Sequence, residues 1–570
     1  MSFITKTENK IALEKIERIR DGEISEYLVK IVLKEKASPT VYSVIWEEEQ
    51  IDIFGFWSSK ASTQYNVTPD WCMRCEESAL ASGMPLISLY SKSNMNRATV
   101  SVSDPVTPIK LSAGVVEETG RVKIQVDFFS QLCSPISEYE ATIRIDKRNI
   151  PFYECVRDAR AWWSTLGYEC AYTPNHATLP MYSTWYSLHQ AALTDSIIKE
   201  CRAAKEYGME TVIVDDGWQT EDGLRGYAYC GDWQVAKGKI PDMRALVDAV
   251  HALGMKFMIW FSVPFVGVHS ESYKKFEGKY LSIRPNMHAV LDPRFKEVRE
   301  YLVETYARSV LEYGWDGLKL DFIDSFRLSE TSSTEYDKMD TVSVEEGVTR
   351  LLEETISRLK EINPDIMIEF RQSYVGPAIS KYGNIFRVTD CPNDAINNRV
   401  HSLNLRLTSG TTAVHSDMIM WNKNETPEAV MYQLLSVMLA VPQISVRLDE
   451  ITDEHKRVLK NYLAFWREHR DTLLNGELTL CDADAGYTLA QSKKDGECVS
   501  VLYQGVVKEL LTDCEYVFNS TGKDGIYLSS YCERKYEIYD VFGEKRESGV
   551  LSKGVFKADV KNCEMIKAFA

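Results

Sequence analysis

Downstream of Trp162-Trp163 the chain settles into short apolar runs alternating with amphipathic segments, and no other feature limits its fold so sharply. Apolar runs lie at Met181 to Trp185, Thr211 to Val214, Lys256 to Phe261, Gly317 to Phe322, Ile366 to Phe370, Ile385 to Val388, Thr411 to Met420 and Ile444 to Leu448. Helical periodicity falls around Ile197 to Cys201, and over Met243 to Leu253, Glu297 to Tyr313, Val344 to Ile362, Pro427 to Ala440 and Asp453 to Arg467. Such alternation builds a parallel sheet with crossover helices. Eight candidate strands with helices between most of them, and no G-x-G-x-x-G opening the first unit, predict a closed (β/α)8 TIM barrel rather than an open doubly wound sheet.

The flanks read differently. From about Glu23 to Ile145 the runs are short, β-branched and alternating, as in Tyr27 to Leu33 and Val122 to Phe128, which predicts an antiparallel β-sandwich with one face of each strand buried. Strand-like alternation returns after Gly476, as in Val499 to Tyr503 and Tyr536 to Tyr539. A multidomain chain is expected: an N-terminal β-sandwich over 1–165, the barrel over 175–472 and a small all-β domain over 475–570. With 570 residues, 44% of them apolar, the chain is long enough to bury more than one core.

A net charge of −17 without any Lys/Arg run argues against a phosphate-backbone partner, so no nucleic acid is expected. Met1 to Lys6 leads straight into charged sequence, without the apolar core of a signal peptide, and no run reaches the ~20 apolar residues of a membrane helix. A soluble, cytoplasmic protein with no membrane partner is expected. The 13 cysteines are scattered and odd in number, which fits reduced thiols, and the lone C-x-x-C of Cys72 and Cys75 has no second pair at zinc-finger spacing.

In a barrel the chemistry sits where the strands end. The second run ends in Asp215-Asp216-Gly217-Trp218, the third in Trp260, the fourth in Lys319-Leu320-Asp321, the fifth in Arg371-Gln372, the sixth in Arg387 and Asp390, and the seventh in His415 and Asp417. Carboxylates, cations and tryptophans converging on one mouth suit a sugar, whose hydroxyls take hydrogen bonds while its C–H face stacks on a ring. Nine histidines lie singly without H-E-x-x-H, and no G-x-S-x-G is present, so neither zinc hydrolysis nor serine catalysis is indicated; no metal and no cofactor are expected.

Glycoside cleavage needs one carboxylate at the anomeric carbon and a second, protonated one at the leaving oxygen. Strand alternation places Gly317, Lys319 and Asp321 on one face, so an ammonium beside Asp321 keeps it ionised and makes it the candidate nucleophile. Asp390 is the candidate acid/base, in surroundings expected to raise its pKa, and Asp394 competes with it. Asp215-Asp216 also reads as a solvated turn before Gly217, and Trp260 as core packing.

Val214-Asp215-Asp216-Gly217-Trp218, Gly231-Asp232-Trp233 through Leu253-Gly254-Met255, Trp260-Phe261 and Lys319-Leu320-Asp321 resemble, in order and spacing, the melibiase-type α-galactosidases, retaining TIM-barrel glycosidases with flanking β-domains. The resemblance implies that Asp321 forms the covalent galactosyl-enzyme and Asp390 is the acid/base. It also implies that Asp215 and Asp216 grip O4 and O6, that Lys319 reaches the O3/O4 side and that Trp260 walls the sugar. Trp218, Arg371, Gln372, Arg387, Asp394 and, from the sandwich, Trp57 complete the expected substrate contacts. The chain departs from the pattern after the fifth strand, where Glu369 to Pro377 replaces a glycine-rich segment, and at Thr389-Asp390-Cys391-Pro392, which replaces S-D-N-T. The expected substrate is therefore a small α-galactoside, with α-N-acetylgalactosamine or another modified galactoside, a transglycosylase, and a catalytically silent sugar binder as alternatives. A homo-oligomer is expected.

Overall fold

The computed structural model describes residues 2–60 and 64–569. The N-terminal region is a sandwich of two sheets. One runs through Ile4–Thr7, Tyr42–Glu49, Arg121–Phe128, Ile109–Val116 and Thr68–Pro69, with Arg74–Ser78 also on Ile109–Val116; the other through Ile11–Arg20, Ile24–Ala37, Ile136–Asp146, Asn96–Val102, Leu86–Tyr90 and Gly55–Ser58. Alternation along Ile24–Ala37 buries Val29 and Ile31 and leaves Lys30 partly open. The inward residues, among them Val44, Val100, Val126 and Ile143, form a core separate from that of the barrel.

The barrel strands are β1 (Met181–Ser183), β2 (Thr211–Val214), β3 (Lys256–Ser262), β4 (Gly317–Asp321), β5 (Met367–Arg371), β6 (Ile385–Arg387), β7 (Ala413–His415) and β8 (Gln443–Ile444). They pair in parallel from β7 back to β1 and on to β8. Isolated parallel bridges, His415 to Val441 and Ile419 to Ile444, close the ring. Crossover helices α1 (Thr194–Glu206), α2 (Met243–Ala252), α3 (Lys296–Tyr313), α4 (Val344–Ile362), α5 (Ala395–Thr408), α6 (Pro427–Ser436) and α7 (Asp453–Glu468) surround it. Between β5 and β6 there is only a 3-10 turn, Ile379–Lys381, and a small antiparallel sheet (Phe265–Gly267, Tyr280–Arg284, His288–Leu291) is inserted between β3 and α3.

Local signals explain the helices. Ser343 caps α4 by accepting from the Glu346 N–H at 3.1 Å, and the face carrying Val344, Val348, Leu351, Leu352 and Leu359 is buried. Thr426 caps α6, with Pro427 at its first turn. β7 is shorter than the apolar run predicts, because Asp417 leaves the ladder: its N–H donates to Asn398 on α5 at 2.9 Å, while the Ser416 N–H still reaches the Val441 carbonyl at 3.0 Å.

The C-terminal region is a seven-stranded sheet from Glu477–Cys481 to Met565–Phe569, with a three-stranded sheet of Val507–Leu510, Ile526–Ser530 and Gly554–Ala558. Asn404 on α5 ties all three regions together. Its Oδ1 accepts from Trp57 Nε1 at 3.0 Å and from the Tyr487 hydroxyl, while its Nδ2 donates to the Tyr65 hydroxyl at 3.2 Å. All 13 cysteines, Cys72 and Cys75 included, are free thiols. Among the described residues no helix is long and apolar enough to cross a membrane.

Candidate active site

Parallel register brings the strand ends together: Trp260 lies opposite Lys319, Lys319 opposite Glu369, and Arg371 opposite Arg387. At the exit of β2, Asp215 is buried and its carboxylate takes the Lys319 ammonium. Burial alone would lower the pKa of Lys319, but Asp215, Glu369 and Asp321 together outweigh it and the ammonium stays charged. Asp216 accepts from Gln190 and Gln219, both at 2.7 Å, and burial pushes it up to about 6. Gly217 follows at φ +112, where a Cβ would lie 2.6 Å from Gln190 Cα. Only glycine turns the chain there without moving the amide that holds Asp216.

Asp321 ends β4, and Phe322 after it adopts a left-handed backbone, φ 65, that donates its N–H to Asp321 Oδ1 at 2.8 Å. The same oxygen takes Arg371 Nε at 2.6 Å and the Tyr374 hydroxyl at 3.0 Å, whereas among the described residues Oδ2 takes one donor, Trp260 Nε1 at 3.1 Å. Burial would raise this carboxyl, but Arg371 and Lys319 outweigh it and hold Asp321 at about 2. The Arg371 guanidinium lies over the Phe322 ring, 5.0 Å from its centroid. Tyr227, half-buried, stacks on Trp260 at 6.3 Å and extends an aromatic wall.

Arg387 ends β6 fully buried and serves three acids. Its Nη1 lies 2.6 Å from Asp417 Oδ1 and 2.9 Å from Asp390 Oδ1, and its Nε 3.4 Å from Glu369 Oε1. Asp417 Oδ2 also accepts the Cys391 N–H at 2.7 Å and the Tyr186 hydroxyl at 2.9 Å, and burial raises Asp417 to about 6. Glu369, likewise raised by burial, takes Gln443 Nε2 at 2.6 Å. His415, held neutral by burial at about 4, donates from Nε2 to the Ala177 carbonyl at 2.7 Å. Gln372 accepts the Thr389 N–H at 3.3 Å and donates to the Ser59 carbonyl at 3.4 Å, tying the loop of Asp390 to the sandwich.

Several expectations need revision. Asp390 does not sit among apolar groups: half its side chain is open (52%), and although desolvation acts to raise its pKa, Arg387 and Lys319 bring it below the usual carboxylate range. Asp394 caps α5, accepting the Asn397 N–H at 3.0 Å, and is exposed. Trp218 is fully buried behind the wall, donating to the Trp260 carbonyl at 2.8 Å among Trp233, Phe261 and Trp315. Trp57 is likewise fully buried, at Asn404 rather than at the mouth. Trp57→Phe should therefore cost about 1 kcal/mol in chemical denaturation while leaving KM unchanged; a tenfold rise in KM would return Trp57 to the sugar pocket. Conversely, Tyr227, Tyr374 and Glu369 join the site, and Asp417, placed by the sequence at the end of the seventh run, lies in its ionic cluster. Tyr227 lies on an irregular loop with no local signal, and Glu369 is hidden inside an apolar run. Among the described residues no group of three or more His, Cys, Asp or Glu could hold a metal ion.

Fold and site together define a (β/α)8-barrel protein between two β-regions, with a buried ionic cluster of carboxylates, lysine and arginines at the C-terminal ends of its strands. The chain belongs to the Melibiase family, whose model matches residues 175–476. It is 31% identical to the α-galactosidase AgaA of Geobacillus stearothermophilus over 134 residues, 22% of this chain and 18% of that relative, so the match spans about a fifth of the relative's length. A crystal structure of an α-galactosidase from Lactobacillus brevis superposes with a TM-score of 0.63 at 14% identity, covering 100% of this chain and 85% of that one. A variant of the Geobacillus stearothermophilus AgaA in complex with raffinose gives 0.63 at 15% identity, covering 96% and 79%. At these identities the structural likeness is one of fold.

Proposed function

We propose that the chain is a retaining exo-α-galactosidase, with Asp321 as nucleophile and Asp390 as acid/base. The observation that carries this reading is the asymmetry at Asp321: Oδ1 is saturated by Arg371, Tyr374 and the Phe322 N–H, while Oδ2 keeps a lone pair for attack. In the first step Oδ2 bonds to the anomeric carbon as the glycosidic C–O bond breaks, and the leaving oxygen takes the Asp390 proton. In the second, water attacks that carbon, Asp390 takes its proton, and the ester bond to Asp321 breaks to release the sugar. Asp215, Asp216 and Lys319 are assigned to the sugar hydroxyls, Trp260 and Tyr227 to its apolar face. The barrel, 175–472, carries the reaction, with 1–165 and 475–570 as flanking domains.

Arg387 sets the proton inventory. One guanidinium cannot neutralise Asp390, Asp417 and Glu369 together, so in this reading Asp390 and Asp417 hold one proton between them. Complexes of a relative with raffinose support an oligosaccharide with a terminal galactose as substrate.

The test is hydrolysis of p-nitrophenyl α-D-galactopyranoside, and of its 2-acetamido analogue, with the first-released anomer read by NMR. Release of α-galactose first is expected. Release of the β-anomer first would overturn retention, and no turnover of either compound would overturn the glycosidase reading.

A further inference from the structure

The outermost strand of the sandwich, Ile11–Arg20, pairs with Ile24–Ala37 on one side and, among the described residues, with no strand on the other. It therefore presents an open row of backbone N–H and C=O groups, the template on which another strand can add. Eight of its ten residues are exposed, Leu13 (48%) and Ile19 (52%) among them. Register with Ile24–Ala37 is regular from Leu13 to Arg18, and irregularities fall just outside, between Ile11 and Leu13 and between Arg18 and Arg20. Such breaks confine any pairing to the regular stretch. On its outward face Lys15 Nζ lies 2.5 Å from Glu17 Oε2. On the inward face Ile16 packs on the sandwich core, Glu14 accepts from the Tyr42 hydroxyl at 2.8 Å, and the Arg18 guanidinium lies over the Tyr27 ring.

We propose that this strand is an interface between two copies of the chain, joined edge to edge in antiparallel register about Ile16, so that two six-stranded sheets become one. The occupant is a second copy because Leu13-Glu14-Lys15-Ile16-Glu17-Arg18-Ile19 complements itself. With Ile16 opposite Ile16, Lys15 faces Glu17, Glu14 faces Arg18 and Leu13 comes to Ile19, each pair twice by symmetry. Opposite charges directly across a ladder stabilise it and like charges destabilise it. Other registers meet repulsion. A slip of one residue sets Glu14 against Glu17 or Lys15 against Arg18; a slip of two sets Lys15 against Lys15 or Glu17 against Glu17. In-register parallel pairing sets every charge against its own kind. The edge thus admits one arrangement of one partner, which an open strand needs if it is not to aggregate. The inference is independent of the reaction proposed above.

The test is sedimentation velocity at concentrations up to about 100 μM and about 0.15 M salt, where the −17 charge of each chain is screened beyond the contact. The wild type is expected to associate, to at least twice the 65.1 kDa chain mass. Lys15→Glu opposes acid to acid and Glu17→Lys base to base at both symmetric positions, so each single variant is expected to sediment at half the wild-type mass, with a dissociation constant raised about tenfold or more. Combining the two changes in one chain restores the opposition and recovers association. So does mixing the two single variants, because the acids of one then face the bases of the other. Thermal midpoints are expected to stay put, since both side chains are exposed and their ion pair adds little to folding. A wild type that is monomeric throughout, single variants that keep the wild-type mass, or a mixture that fails to associate would each overturn the interface.

Discussion

Asp321→Ala should abolish turnover, lowering kcat by about four orders of magnitude or more. Azide should restore part of the rate on an activated aryl galactoside and give the β-galactosyl azide, because the small anion enters from the vacated nucleophile side. The expectation rests on three donors at Oδ1 and on a carboxyl held at about 2 by Arg371 and Lys319 against the effect of burial. Such a group stays ionised down to strongly acidic solution. Its contribution to stability is present above the ordinary carboxylate range and is lost only as pH falls through about 2. Wild-type activity in the alanine variant, or rescue giving the α-azide, would remove Asp321 from the role.

Asp321 was legible in the sequence for a physical reason: it ends an apolar run whose period of two puts Lys319 beside it, and a barrel opens its chemistry at strand ends. The barrel itself was legible because its strands and helices differ in period. The supporting carboxylate Glu369 was not. Glu369 sits inside the run that forms β5, where an acid has no local partner, and only the parallel register brings Arg387 within 3.4 Å. Asp390 and Asp394 share one loop and look alike in sequence; the start of α5, which fixes Asp394 as its cap, carries a weak helical signal because most of that helix is buried. Trp57 and Trp218 carry the right ring for a sugar wall, but burial is set by packing between regions far apart in the chain.

In the mechanism proposed above, the ionic cluster lets Asp390 act as an acid beside an arginine. Lys319 is matched by Asp215 and Arg371 by Asp321, which leaves Arg387 alone against Asp390, Asp417 and Glu369. If Asp417 is charged it absorbs much of the Arg387 field, and Asp390 is released to hold a proton; if Asp417 is neutral, Arg387 keeps Asp390 ionised.

Asp417→Asn fixes the second condition permanently, since the amide carries no charge; with its oxygen kept on the Tyr186 hydroxyl and the Cys391 N–H, its NH2 faces Arg387 and the ion pair to that guanidinium is lost. For an alkyl or sugar leaving group, which needs the proton, kcat/KM should fall about 100-fold or more; a 2,4-dinitrophenyl galactoside, which departs without it, should lose far less. The groups facing this site are Arg387 and Asp390 from β6 and its loop, Cys391, Tyr186 after β1, Lys319 and Asp321 on β4, and Glu369 on β5. In the wild type burial raises Asp417 to about 6, so in the proposed reading the shared proton is given up over the range in which Asp417 titrates, and kcat/KM for the poor leaving group declines at higher pH. In the variant Asp390 titrates alone, below the usual range, and the decline moves to lower pH. A purely structural role for Asp417 predicts the opposite pattern: equal losses for both leaving groups and an unmoved alkaline limb, an outcome that would assign the proton to another group.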